Sequence, residues 1–216
     1  MKTVAFIPIK LNSQRLPHKN ILPLGDKPLC RYIAEVALSC REIDEVYVYC
    51  SDDTVMEYMP DGIIFLKRSS TLDQDSTKGM QIYSSFMKEV DADIYVLMHT
   101  TSPFLKSKSV DHALMKMKCE GFDSAFSAEA IQTFVWFDEK PLNYSLDDVP
   151  RTQDIKPIFV ETSGFYAFAK SVLLGGNRIG CNPYIEIVDY AEAIDIDTRE
   201  DFNHAIAILK SISDIS

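Results

Sequence analysis

Two groups of residues in this sequence have types and spacings that do chemistry. The first is Lys10-Leu11-Asn12-Ser13-Gln14-Arg15-Leu16-Pro17-His18-Lys19-Asn20, which sets three cations and several small polar residues directly after an apolar run. Arg forks two phosphate oxygens, and Lys supplies a mobile point charge. Free backbone N–H groups in such a loop add further donors. The loop therefore suits a triphosphate; position and charge alone leave a solvated basic loop as the alternative. It is not a Walker P-loop, lacking Gly-x-x-x-x-Gly-Lys-Ser/Thr, and it is not a G-x-G-x-x-G dinucleotide fingerprint.

The second group is the carboxylate pair Asp195 and Asp197. On a short strand, residues two apart point to one face. Two hard oxygen donors beside a triphosphate suit Mg²⁺, with water and phosphate oxygens completing the octahedron. The same stretch also reads as a helix start, with Thr198 as N-cap and Asp201 closing a capping-box-like turn. Capping accounts for Thr198 and Asp201 but leaves Asp195 without a purpose. His99, beside Thr101-Ser102-Pro103, is a candidate for substrate contact. A lone His at a strand end more often makes hydrogen bonds than acts as a base.

These residues need a frame. Apolar β-rich runs recur at Val4–Ile9, Val46–Cys50, Ile63–Leu66, Ile94–Met98, Ser124–Ser127 and Phe165–Phe168. Helical periodicity falls between them, at Leu29–Ser39, Thr54–Tyr58, Lys78–Val90, Lys108–Glu120 and Arg199–Ser211. Strand–helix alternation from the first residues predicts an α/β fold, a doubly wound and mostly parallel sheet flanked by helices. In such sheets ligands sit beyond the carboxyl ends of the strands, which is where the Lys10–Asn20 loop falls. The stretch 130–160 breaks the rhythm. It holds the only Trp and no helical period, and reads as an inserted excursion, a lid or a dimer arm, with a long surface loop as the alternative.

The chain has 216 residues, 46% hydrophobic and 25% charged, enough for one sizeable domain over 1–216. Its formal charge of −10 and lack of a long basic run exclude general binding to nucleic acid or to an anionic membrane. A local cluster of Lys and Arg still accommodates an anionic small molecule. Five scattered cysteines without a C-x-x-C pair predict a reduced protein with no disulfide framework or structural zinc. The first apolar run is too short for a signal peptide, and no run reaches the ~18 apolar residues of a membrane span. The expected location is cytoplasmic.

Four ordered segments carry a family resemblance. Ile7-Pro8-Ile9-Lys10-x-Asn12-Ser13-x-Arg15-Leu16-Pro17-x-Lys19-Asn20 resembles the opening motif of acylneuraminate cytidylyltransferases and of their relatives that activate 3-deoxy-octulosonic acid. Arg68-x7-Ser76-Thr77, Thr101-Ser102-Pro103 and Ile194-Asp195-Ile196-Asp197-Thr198 resemble the family's later motifs in order. The resemblance implies a nucleotide-diphospho-sugar transferase-like domain and a homodimer in which an arm reaches toward the neighbour's site. It implies CTP-dependent, Mg²⁺-assisted transfer of CMP to a small anionic acceptor such as a nonulosonate, with no covalent enzyme intermediate. Carried over residue by residue, Lys10, Ser13, Arg15 and Lys19 face the phosphates, and Asn20, Arg68 and Thr77 line the cytidine. Asn12, Asp75 and Ser102 complete the CTP site, His99, Glu161 and Ser163 face the acceptor, and Asp195 and Asp197 hold the metal. Lys19, Arg15 and Asp197 are the expected catalytic residues.

The sequence departs from the family pattern at three places. Lys10 stands where Arg is usual, which keeps the charge but loses the fork. Gln14 takes a place often held by Lys in the sialate branch, while Arg15 matches the octulosonate branch better. Glu161-Thr162-Ser163-Gly164 replaces an Arg-Pro-Asn-Gly whose Arg holds the sugar's carboxylate, and a Glu would repel that group. Either another cation, such as Arg151, Lys156 or Arg178, holds the carboxylate, or the acceptor presents an amine, as an aminoalkylphosphonate does.

Overall fold

The segment Thr-Val-Ala-Phe-Ile-Pro at residues 3–8 is apolar throughout because, as a central strand, it is covered on both faces. Its alternate residues feed two different cores. Ala5, Ile7 and Ile9 pack with Ile33, Ala34, Val110 and Leu114 on one side. Val4 and Phe6 pack with Tyr83 and Phe86 on the other, where Phe6 and Phe86 stack at 4.5 Å between centroids. Each fully buried side chain of this size contributes about 1.5–3 kcal/mol.

The computed structural model describes residues 1–13 and 16–213. In chain order its elements are β1 (Thr3–Pro8), the short pair β2 (Pro23–Leu24) and β3 (Lys27–Pro28), α1 (Leu29–Ser39), β4 (Glu45–Cys50) and β5 (Ile64–Lys67). Then come α2 (Gly79–Glu89), β6 (Ile94–Met98), α3 (Ser107–Glu120), β7 (Ser124–Ile131), β8 (Trp136–Phe137) and β9 (Lys140–Pro141). The chain continues with β10 (Ile158–Ala169), α4 (Lys170–Leu174), β11 (Pro183–Ile187) and α5 (Arg199–Ser213). The main sheet has seven strands in the order β11-β7-β10-β6-β1-β4-β5. All its pairings are parallel except those of β10, which runs antiparallel to both β6 and β7. The expected α/β sheet flanked by helices is what forms. Among the described residues no helix is long and apolar enough to cross a membrane.

Three expectations change in detail. The helical period at Thr54–Tyr58 closes as a 3-10 helix over Asp53–Tyr58, started by the Asp52 carboxylate accepting the Thr54 N–H. Ile194–Asp197 is not a strand; among its bonds are Ile196 N–H to the Thr101 carbonyl at 2.9 Å and Asp197 N–H to the Asp201 carboxylate at 3.0 Å. The excursion is also shorter than 130–160. Ala130 and Ile131 pair with Phe159 and Ile158, so β7 and β10 run on as an antiparallel ribbon and only 132–157 leaves the ladder.

The excursion is internally ordered. Asp138 and Glu139 take φ of 50° and 60°, the left-handed pair required by a two-residue turn between β8 and β9. Asn143 donates to the Thr133 carbonyl and accepts the Val135 N–H. Gln132 Nε2 donates to the Gln153 and Ile155 carbonyls, both at 2.9 Å, tying the two ends together. Trp136, Phe137, Leu142, Leu146 and Val149 all face solvent.

Candidate active site

β1 and β6 are parallel neighbours, and the chain runs on from them toward opposite edges of the sheet, β1 to β4 and β6 to β7. This reversal of strand order opens a crevice at their carboxyl ends. A cavity of about 410 Å³ lies there, a size usual for a small-molecule site. The loop after β1 supplies Lys10, Asn12, Ser13, Lys19 and Asn20 to its wall. The turn after β6 supplies His99, Thr100 and Thr101, and Asp75 closes the rim. Lys10 pairs with Asp75 at 2.8 Å across this rim.

Asn20 shows how the loop is held. Its amide is buried and spent within the protein: Nδ2 donates to the Lys10 carbonyl at 2.7 Å, and Oδ1 accepts from the Thr100 hydroxyl at 2.6 Å. One side chain thus sets the loop's curvature and joins it to the β6 turn. Thr101 belongs to the Thr101-Ser102-Pro103 segment already singled out from the sequence; Thr100 was not, and its place just ahead of that segment was the available signal.

Ile194 and Ile196 are buried with Leu16, Leu24, Leu29 and Phe202, so Asp195 between them is turned outward, and neither Asp195 nor Asp197 lines the 410 Å³ cavity itself. Lys19 Nζ lies 2.8 Å from Asp197 Oδ1 and 2.8 Å from the Ile196 carbonyl. Thr198 and Asp201 form the expected cap: Asp201 accepts the Thr198 N–H at 2.7 Å, and its own N–H donates to Thr198 Oγ1 at 3.2 Å. The helix-start reading of this stretch is therefore met. Asp195 lines an adjoining cavity of about 200 Å³ with Glu129, Tyr190 and His204. Asp195 is open to solvent by area, yet it stands in a concavity crowded by protein. Crowding pushes its carboxyl above the usual range, against the pull of Thr101, with Asp197 adding repulsion.

β10 carries a bulge between Glu161 and Tyr166, with Ser163 at φ 61°. The Ser127 hydroxyl fills it, bonding Thr162 Oγ1 at 2.8 Å and the Phe165 N–H at 3.2 Å. A Cβ on Gly164 would stand 3.1 Å from that hydroxyl, so glycine lets the bulge close. The bulge brings the Ser163 carbonyl 2.6 Å from His99 Nδ1. A carbonyl only accepts, so Nδ1 carries the proton and Nε2 of the neutral ring is an acceptor. Burial holds this imidazole below its ordinary range, in spite of the bond to Ser163. Glu161 faces Arg178 at 3.3 Å and accepts the Tyr166 hydroxyl at 2.6 Å.

Not every expected residue meets the cavity. Arg68 is 2% exposed and lies behind it; its guanidinium donates to the Ile9 carbonyl at 2.8 Å, the Tyr49 carbonyl at 3.1 Å and Asp73 at 2.6 Å. The Ser102 hydroxyl is fully buried with no hydrogen-bond partner among the described residues. The Thr77 N–H closes a turn on the Gln74 carbonyl, away from the cavity wall. Arg15 lies outside the described residues, with Gln14.

The fold resembles that of CMP:2-keto-3-deoxy-manno-octonic acid synthetase solved with CTP, with a TM-score of 0.73 at 19% identity over 98% of this chain and 99% of that one. In sequence the chain is 25% identical to the N-acylneuraminate cytidylyltransferase of Streptococcus agalactiae serotype III (strain NEM316), over 97% of this chain and 54% of that protein. It is also 25% identical to the 3-deoxy-manno-octulosonate cytidylyltransferase of Escherichia coli, over 80% of this chain and 74% of that one. The chain thus spans about half the length of the N-acylneuraminate relatives it matches. The cytidylyltransferase family matches residues 4–209, nearly the whole sequence, and the chain belongs to that family.

Proposed function

We propose that this chain transfers the cytidylyl group of CTP to an acid sugar, a nonulosonate of the sialate type, and releases pyrophosphate. The observation that carries the reading is the cavity at the ends of β1 and β6, lined by Lys10 and Lys19, with Lys19 paired in turn to Asp197 at 2.8 Å. The two lysines, Asn12 and Ser13 receive the triphosphate, with Arg15 in the same loop. An acceptor hydroxyl attacks the α-phosphorus as the bond to the bridging oxygen of pyrophosphate breaks, and the hydroxyl proton is released to water. Positioning and charge neutralisation do the catalysis.

The donor set fits a divalent cation. Asp197 lies against Lys19, which lines the cavity proposed to take the phosphates, and Asp195 is two residues before it; Lys19 Nζ rests against Asp197 as a cation there would. Mg²⁺ takes one or two carboxylates and completes its shell with water and phosphate, so Asp195 and Asp197 suffice. Bound there, Mg²⁺ would polarise the α-phosphate and offset charge on the leaving group. The exposed aromatic and aliphatic side chains of the 132–157 excursion are proposed to pack on a second copy of the chain.

Glu161, standing where an arginine is usual, favours a second reading in which the acceptor is an aminoalkylphosphonate whose phosphonate oxygen attacks. A non-catalytic binding module is disfavoured by the retention of Lys19, Asp195 and Asp197. The test is pyrophosphate release from CTP and Mg²⁺ with N-acetylneuraminate, legionaminate, pseudaminate, 3-deoxy-octulosonate or 2-aminoethylphosphonate. Turnover of a nonulosonate is expected. Turnover of the phosphonate alone would keep the chemistry and overturn the sugar assignment.

A further inference from the structure

A separate cavity of about 300 Å³ lies between the start of α2 and the loop before β11. Lys78 and Arg178 line it and no carboxylate does, in a chain whose formal charge is −10. A concavity with that lining concentrates anions against the sign of the whole molecule. Lysine alone would be a weak argument, since Lys78 is exposed. Arg178 is different, because its guanidinium is held in place.

Its plane sits over the Tyr166 ring, 3.9 Å from the centroid. Nη2 donates to the Tyr166 hydroxyl at 3.1 Å and to Glu161 at 3.3 Å. The Tyr83 hydroxyl is the other group in contact. Gly79 makes room for it: a Cβ there would stand 2.6 Å from the Tyr83 hydroxyl. A guanidinium has five N–H donors, and these contacts use three. Stacking and the ion pair fix the plane in advance, so little side-chain entropy remains to be lost when an anion docks.

The position suits an acceptor. Tyr166 meets the His99 ring edge to face at 6.2 Å between centroids, and His99 lines the nucleotide cavity. Arg178 is therefore one aromatic ring beyond the place where the nucleotide is proposed to lie. Arg151, by contrast, is exposed and spent on Asp154 at 2.7 Å.

We infer that Arg178 binds the carboxylate of the acceptor, in the cavity it shares with Lys78 and Tyr83, and so selects an acid as substrate. The inference rests on the transfer reaction proposed above and deepens it. Glu161 then holds Arg178 in its plane and does not meet the carboxylate itself.

The test reads binding directly. N-acetylneuraminate, 3-deoxy-octulosonate and their methyl esters are titrated calorimetrically into wild-type, Arg178→Lys and Arg178→Gln protein preloaded with a non-hydrolysable CTP analogue. Wild type is expected to favour at least one acid over its ester by tenfold or more. Arg178→Gln should lose that preference while its affinity for the CTP analogue stays within twofold, and Arg178→Lys should fall between. A full acid preference in Arg178→Gln, or none in wild type, overturns the inference. An intact preference without pyrophosphate release would instead sink the transfer reaction and leave Arg178 as an acid-binding residue.

Discussion

Lys19 Nζ lies 2.8 Å from Asp197 Oδ1, joining the loop after the first strand to a segment 178 residues further along. The Lys19 side chain is only 13% exposed, so its charge acts where water screens it less than at an open surface. Both residues lie within the proposed phosphate and metal site, and neither supports a sheet or helix core.

Replacing Asp197 with Ala is therefore expected to abolish pyrophosphate release and leave the circular dichroism spectrum unchanged. Lys19→Ala should lower kcat/KM by about a hundredfold or more, the scale of losing one charge-stabilising donor. Turnover by Asp197→Ala at saturating Mg²⁺ would contradict the metal assignment. An unchanged reaction in Lys19→Ala would move the phosphate site elsewhere.

Arg68 leads to a different prediction, because its guanidinium is consumed by Ile9, Tyr49 and Asp73. Arg68→Ala would take the guanidinium from the Ile9 carbonyl and the cation from Asp73, while Tyr49 keeps the Ile9 N–H and Asp73 the Ser51 hydroxyl, at a cost of about 3 kcal/mol. Urea unfolding should show the loss, with CTP binding failing only as the fold does. A variant of normal stability that no longer binds CTP would return Arg68 to direct nucleotide contact.

The contrast between Lys19 and Arg68 shows how far the sequence could be read. Both are cations in motif positions just after strands, and nothing in residue type distinguishes a side chain aimed at a ligand from one aimed at the backbone of its neighbours. That depends on the depth of the Arg68 side chain behind the sheet edge, a tertiary quantity. The long apolar strands were legible because burial on both faces leaves continuous runs, and α1 falls on the expected Leu29–Ser39. β11, Pro-Tyr-Ile-Glu-Ile, was missed because an edge strand with one covered face carries too short a pattern. The reversed direction of β10 leaves no trace in composition at all. Arg178 was one of three cations weighed against Glu161, and only the bulge in β10 and the loop before β11 decide between them.

The excursion yields a prediction about assembly. Trp136, Phe137, Leu142, Leu146 and Val149 place five large apolar side chains in solvent within one short stretch, more than scattered surface residues account for. Deleting Glu139–Asp147 should convert a dimer to a monomer by light scattering. An unchanged mass would make the segment a lid or an ordinary loop.

Asp123 yields a pH dependence away from the site. Its carboxylate accepts the Cys181 N–H at 2.8 Å, the Asn182 N–H at 3.1 Å and the Ser124 hydroxyl at 2.9 Å, anchoring the turn that leads into β11. Burial alone would raise its pKa, but the bonds from Asn182, Ser124 and Cys181 outweigh it and hold the group below 3.8. A depressed folded-state pKa means the stabilisation is present above the unfolded value and fades as pH falls through the folded one. Asp123→Ala should thus lose about 0.5–1.5 kcal/mol at neutral pH, the net worth of a hydrogen bond whose donors water can take over. The gap between wild type and variant in urea unfolding should narrow as pH falls below about 3.8, where the unfolded carboxylate takes up its proton, and close as pH passes the lower folded-state value. Gly180→Ala provides a steric counterpart, because its Cβ would stand 2.3 Å from the Asp123 carboxylate and push the turn off its anchor. That variant should be destabilised too, and a gap for Asp123→Ala that stays constant down to pH 3 would assign the loss to packing in place of the charged hydrogen bonds.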